Sequence, residues 1–157
     1  RTAELTKKLT SADGRAWVRR ILERAGTTEV SPWLQQLLED AKPMEVGDFT
    51  AMLEEVDQFR SAMHTFMRDY DVIICPACAF TALPHGASID EETRKGFSYT
   101  ASYNVAGWPG AVVRCGTSPE GLPIGVQVVA GPWREDVALA VAQYLETALG
   151  GWQKPPI

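Results

Sequence analysis

The strongest periodic signal lies in residues 46–70, where Phe49, Met52, Leu53, Val56, Phe59, Met63, Phe66, Met67 and Tyr70 recur at steps of three and four. That spacing lines one side of an α-helix with apolar groups and predicts a long helix with a large surface to cover. Two shorter helices are predicted before it. One opens after Asp13-Gly14, turns Trp17, Val18, Ile21 and Leu22 to one side and closes at Gly26, with Arg15, Arg19, Arg20 and Arg24 forming a solvated stripe on the other. The next opens at Ser31-Pro32, because serine is a good N-cap and proline loses nothing in a first helical turn, and its inward face is Trp33, Leu34, Leu37 and Leu38. Residues 1–10 carry no strong pattern and begin without an initiator Met or an N-cap, which reads as a cut end.

Beyond the long helix the period changes. Asp71-Val-Ile-Ile-Cys75 predicts a short buried strand, ended by Pro76, which cannot donate to a ladder. Residues 76–95 predict a loop long enough to act as a cover or lid. Residues 97–105 suit a short helix, stopped by the tight turn Gly107-Trp108-Pro109-Gly110. Residues 111–114 and 124–129 predict two strands, and the turn-rich connection at 118–123 pairs them antiparallel. A last helix starts at Arg134-Glu-Asp, where acidic residues suit the positive end of the helix dipole. Its stripe of Val137, Ala138, Leu139, Val141, Ala142, Tyr144, Leu145 and Ala148 is predicted to cover the sheet; Gly150-Gly151 stops it and Pro155-Pro156 marks a tail.

Composition narrows the class. Among 157 residues the apolar share of 45% is enough to bury a core, and the net charge of −5 argues against a nucleic-acid partner. The longest apolar runs are too short to span a bilayer and the N-terminus lacks signal-peptide architecture, so no membrane partner and a cytoplasmic location are expected. Three cysteines, an odd number, point to free thiols in a reducing compartment.

Candidate chemistry is sparse. Cys75-Pro76-Ala77-Cys78 is a CxxC after a strand, as in a redox site, but the following residues lack the helix whose N-terminus would stabilise a thiolate. Two buried small residues is the preferred reading. Cys75, Cys78, Cys115 and His85 are the right types for zinc, at spacings that match no ordinary zinc module, so neither metal nor cofactor is expected. No Gly-x-Ser-x-Gly elbow is present; Ser98, Ser102 and Ser118 have no catalytic setting, and His64 lies on the long helix and His85 in the loop. From spacing alone the chain is an α/β fragment without a visible catalytic group.

Four linked elements change that picture: Tyr70-Asp-Val-Ile-Ile-Cys-Pro76, the block Phe97-x-x-Thr100-x-x-x-Asn104-x-x-Gly107-x-Pro109, the segment Gly121-Leu-Pro-Ile-Gly-Val-Gln127, and the helix that follows. In this order they resemble the C-terminal portion of the amidase signature family, over residues 70–149, roughly half of this chain. The resemblance implies an α/β/α fold around a mixed sheet covered by amphipathic helices. It implies amide C–N hydrolysis by a serine activated through a second, cis-peptide serine and a lysine. The Gly/Ser-rich segment that carries those groups is absent here, so residues 1–157 are expected to be a C-terminal segment, inactive alone: 1–70 mainly helical, 71–149 the strand and helix core, 150–157 a tail.

Ser98-Tyr-Thr100, Tyr103-Asn104 and Gly131-Pro-Trp133 resemble the branch containing fatty acid amide hydrolase. That likeness implies a small-molecule amide substrate and a pocket lined by Phe97, Thr100, Asn104, Trp108 and Trp133. The alternative for these residues is that Trp108 and Trp133 are core and Asn104 pins the turn. Alternatives for the whole chain are a catalytically dead amidase-like binding or scaffold module, and a CxxC redox module. A slice of a larger sheet would leave edges and helix faces exposed, so self-association is expected.

Overall fold

The computed structural model describes residues 2–154, so the predicted Pro155-Pro156 tail and Arg1 lie outside the described residues. The chain divides into two compact units, Arg1–Gln58 and Phe59–Ile157.

The first unit is helical: α1 (Thr2–Ser11), α2 (Ala16–Arg24), α3 (Pro32–Glu39) and the part of α4 (Val46–Met67) that reaches Gln58. Helix α1 corrects the patternless reading of residues 1–10. Only Leu5 is fully buried there, and the Thr6, Thr10 and Ser11 hydroxyls donate back to carbonyls one turn earlier, at Thr2, Thr6 and Lys7, so the helix has no apolar stripe to announce it. Lys8 Nζ lies 3.7 Å from Glu55, joining α1 to α4. The cap of α3 forms as expected, Leu34 N donating to Ser31 Oγ at 3.3 Å with Pro32 in the first turn. The inward faces predicted for α2 and α3 are a correction: Trp17, Ile21 and Trp33 stay about half-exposed, because a unit of this size encloses too little volume to bury them.

A short backbone bridge organises the unit. Asp13 pairs antiparallel with Pro43, and Met44 N donates to Ala12 O at 2.8 Å. Gly14 makes this possible, since its φ is +62° and a Cβ there would lie 2.8 Å from Pro43 N. The Arg19 guanidinium then donates to the carbonyls of Gly14 and Leu38, tying α2 to α3.

In the second unit the end of α4 leads into β1 (Val72–Pro76), followed by α5 (Glu91–Lys95), α6 (Ala101–Ala106), β2 (Gly110–Thr117), β3 (Pro123–Ala130) and α7 (Glu135–Ala148). The strands form one antiparallel sheet in the order β1-β3-β2, with Cys75 opposite Gln127 and Val112 opposite the same residue from the other side. The predicted hairpin is therefore present, extended at both ends, and interrupted by a register shift between Arg114 and Gly116. Central β3 is the most deeply buried strand: Val128, Val129 and Ala130 are completely enclosed.

Met67, Ala106, Trp108 and Val129 form the core, with Phe59, Met63, Ile73 and Tyr103 packed against them. Arg60 Nε donates to Val105 O at 3.0 Å and ties α4 to α6. Helix α7 packs on β2 and β3 through Ala138 and Ala142, whose small side chains let it approach closely. Its predicted stripe is too wide: Leu139 and Tyr144 point into solvent, and the covering positions are 137, 138, 141, 142 and 145. The predicted 76–95 loop contains a single turn of tighter helix (Ala87–Ile89) and then α5, whose N-cap Asp90 accepts from Thr93 N and Thr93 Oγ1, both at 2.9 Å. The bond from Thr93 N, then that from its hydroxyl, holds the Asp90 carboxyl below its usual range. A five-residue helix is too short to show a period in sequence. Among the described residues no helix is long and apolar enough to cross a membrane.

Gly14→Ala should lower stability by roughly 1–3 kcal/mol through left-handed strain and the contact with Pro43. Gly26→Ala is the control, with φ +64° and nothing within 4 Å of the added carbon, and it should cost less. Urea denaturation compares them; equal midpoints for the two variants would refute the crowding at Pro43.

Candidate functional site

An apolar cleft of about 1030 Å³ opens where the 76–86 loop crosses the end of the sheet. Ile74 and Cys75 of β1, Val112 and Cys115 of β2, and Ile124 of β3 form its floor; Phe80, Leu83 and Phe97 supply much of the wall. Cavities of this size, mainly apolar with a few polar groups, are the usual form of small-molecule sites.

Three local arrangements build it. Gln127 is the one buried polar side chain among the described residues, 4% exposed, and its Nε2 donates to Pro76 O at 2.9 Å and to Tyr99 O at 3.3 Å. This fixes the end of β1 and the turn ahead of α6 onto β3. The loop is held by Ala79 N donating to Gly96 O at 3.0 Å, and by the Phe80 ring, which sits against Gly96 and meets Phe97 edge-on with centroids 5.0 Å apart. Beneath the sheet, the Tyr103 hydroxyl lies 3.4 Å from Cys75 Sγ. Burial, and then this contact, push the Tyr103 phenol well above its ordinary value, so the ring stays neutral.

All three thiols reach the cleft, each half-buried and free of disulfide. The Cys78 thiol donates to Phe80 O at 2.9 Å, which ties it to the loop. No helix starts behind the CxxC pair; α5 begins thirteen residues after Cys78, at Glu91. Among the described residues no group of three or more His, Cys, Asp or Glu side chains is placed to hold a metal ion.

Of the residues singled out from sequence, Phe97 lines the cleft. Thr100 lies one turn on, half-buried, its hydroxyl donating to Phe97 O at 3.4 Å. Asn104 is exposed on α6. Trp108 is in the core, 7% exposed, with its ring 5.8 Å from that of His64 and 6.5 Å from that of Tyr103. Trp133 is 89% exposed, in a left-handed conformation with φ 63° just before α7. The structure thus places Phe97 at the cleft, with Thr100 bonded to its carbonyl but not on the lining, and leaves Asn104, Trp108 and Trp133 off the lining as well. Ile74, Leu83, Val112 and Ile124 were missed. A strand read as buried on both faces gives no sign that one end of it is open.

A family model described as Amidase matches residues 2–139. The chain is 35% identical over 104 residues to fatty-acid amide hydrolase 2-A of Danio rerio, a match covering 66% of this chain and 19% of that protein. It is 32% identical over 116 residues to a glutamyl-tRNA(Gln) amidotransferase subunit of Brevibacillus brevis, covering 70% of this chain and 24% of the relative. Among solved structures, 6-aminohexanoate cyclic dimer hydrolase superposes with a TM-score of 0.73 at 25% identity, over 93% of this chain and 34% of that one. The chain therefore spans about a fifth to a quarter of the length of these two sequence relatives.

Gly96→Ala would drive its Cβ into the Phe80 ring at Cε1, at a residue whose own φ of −65° is unstrained. The ring must leave its seat, so the substitution should release the loop and cost about 1–3 kcal/mol, the range for overpacking. Amide hydrogen exchange at Ala79 reports the loop directly, and protection there equal to that of the unsubstituted chain would show that the ring does not hold it.

Proposed function

The chain belongs to the amidase family, and we propose that it supplies the apolar wall of the substrate pocket in an amide C–N hydrolase, with the catalytic groups lying outside it. The observation that carries this reading is the composition of the cleft. Amide hydrolysis needs a nucleophile, a base to activate it and donors for the developing oxyanion. The cleft lining holds no lysine, and among the described residues no hydrogen bond joins its one serine, Ser88, to its one histidine, His85. What it offers is aliphatic and aromatic surface beside a sheet end. Such surface holds an acyl chain by burial, at about 25 cal/mol per Å² removed from water.

Substrate class follows from the same surface. Ile74, Leu83, Val112 and Ile124 favour an amide with a long aliphatic acyl group over one with a charged side chain, and the likeness to fatty-acid amide hydrolase 2-A supports that choice. The serine, cis-peptide serine and lysine implied by the family would act on the carbonyl from residues that this chain does not contain. Association of the isolated chain belongs to the same reading. Strands β1 and β2 are the sheet's edges, and Ile74 and Val112 on them are more than half exposed.

Oleamide tests the reading. The chain should bind it without releasing ammonia, and a short amide such as acetamide should bind far more weakly; turnover above the buffer blank by this chain alone would overturn the assignment of catalysis elsewhere. In light scattering the free chain should show species heavier than a monomer, and a single monomeric species across rising concentration would refute the association.

A further inference from the structure

A second pocket lies entirely within the first unit and differs in character from the cleft. Its volume is about 370 Å³, and Lys7, Arg15 and Lys42 line it together with Trp33, Leu37 and Asp40. None of the three cationic side chains makes an ion pair among the described residues, whereas Lys8 in the same unit reaches Glu4 and Glu55. Asp40, the pocket's single carboxylate, accepts from Gln36 Nε2 at 3.0 Å. Three cations against one carboxylate give the pocket a positive field within a chain whose net charge is −5.

The backbone brings two of the cations to neighbouring positions, while Lys7 comes from α1; Lys7 and Lys42 are exposed and Arg15 is half-buried. The Asp13–Pro43 bridge and the Met44 N to Ala12 O bond hold residues 12–14 beside 43–44, which puts Arg15 and Lys42 on neighbouring strands of chain. Arg15 is placed at further cost. It is the N-cap of α2, where the helix dipole disfavours a cation, and its φ of 62° is one that a side-chain-bearing residue rarely adopts. The sequence expectation that Arg15 belongs to a solvated stripe with Arg19, Arg20 and Arg24 is thereby corrected: Arg15 is half-buried at a pocket and Arg19 is engaged with two carbonyls.

We propose that this pocket is a binding site for a small organic anion, a carboxylate or phosphate head on an apolar or aromatic body. The head lies among Lys7, Arg15 and Lys42, giving the Arg15 guanidinium the planar, two-oxygen partner its geometry suits. The body lies on Trp33, an indole 47% exposed, and on Leu37. This site is independent of the amide cleft: it needs no catalysis and no group outside residues 1–58.

The test uses the whole chain with benzoate, phenyl phosphate and neutral benzamide as probes, followed by calorimetry and by amide shifts at residues 15, 33 and 42. Benzoate or phenyl phosphate should bind saturably and weaken as salt is raised, and benzamide should bind at least about tenfold more weakly. Whichever anion binds more tightly identifies the head as carboxylate or phosphate. Arg15→Gly removes the cation at a position whose backbone suits glycine, so its thermal midpoint should match or exceed that of the parent while anion affinity falls about tenfold or more. Lys42→Gln should show a similar loss. No saturable binding of either anion up to roughly 10 mM, benzamide binding as tightly as benzoate, or parental affinity in folded Arg15→Gly would each overturn the site.

Discussion

The side-chain amide of Gln127 is the interaction on which the second unit's cleft depends. It sits on the central strand, almost fully buried, where an amide without partners would cost about 1–3 kcal/mol. Two carbonyls meet it, those of Pro76 and Tyr99. Because both are acceptors, the NH2 end must face them, and its two hydrogens are both used. Neither carbonyl belongs to β3. One ends the edge strand and the other lies in the turn ahead of α6, so a single side chain joins the three pieces of backbone that surround the cleft. An aliphatic residue of similar size would fill the space and lose both bonds, which is why the deeply buried central strand carries one polar group.

Around that tie, the central strand and its two edges are buried to different degrees. Ala138 and Ala142 bring α7 close to β2 and β3, and Val128 and Ala130 are sealed. On the edge strands, Ile74 and Val112 stay open and the 76–86 loop arches beside them, held by Phe80 against Gly96. The cleft is therefore not a gap left by poor packing. Its loop is seated by a specific ring on a glycine, its floor is held by a specific amide, and its interior is apolar.

How far this could be read in advance depended on whether an element's own residues carried the signal. The long helix, the Ser31 cap and the 110–130 hairpin were legible, because periodicity, a cap and a turn each have a local cause. Helix α1 was not, since its threonine and serine hydroxyls satisfy its own carbonyls and only Leu5 is deeply buried. At the site, Phe97 was legible through the family block around it. The strand positions of the floor were not, because Val-Ile-Ile-Cys reads as buried on both sides and nothing local tells which end a loop will leave open. Trp133 shows the limit of reading a large aromatic as core: its left-handed backbone just before α7 leaves it 89% exposed.

The two pockets also differ in what their building costs. The cleft is assembled from groups that are individually content: glycine where a ring must seat, an amide between two carbonyls, thiols with acceptors nearby. The pocket of Lys7, Arg15 and Lys42 is assembled from groups that are not. A left-handed arginine at a helix N-terminus, without an ion pair among the described residues, carries strain and an opposed dipole at once. Local rules favour glycine or asparagine at position 15. Where local preferences are overridden at one point and a cavity of ligand size lies there, a bound anion of the kind proposed would offset the cost.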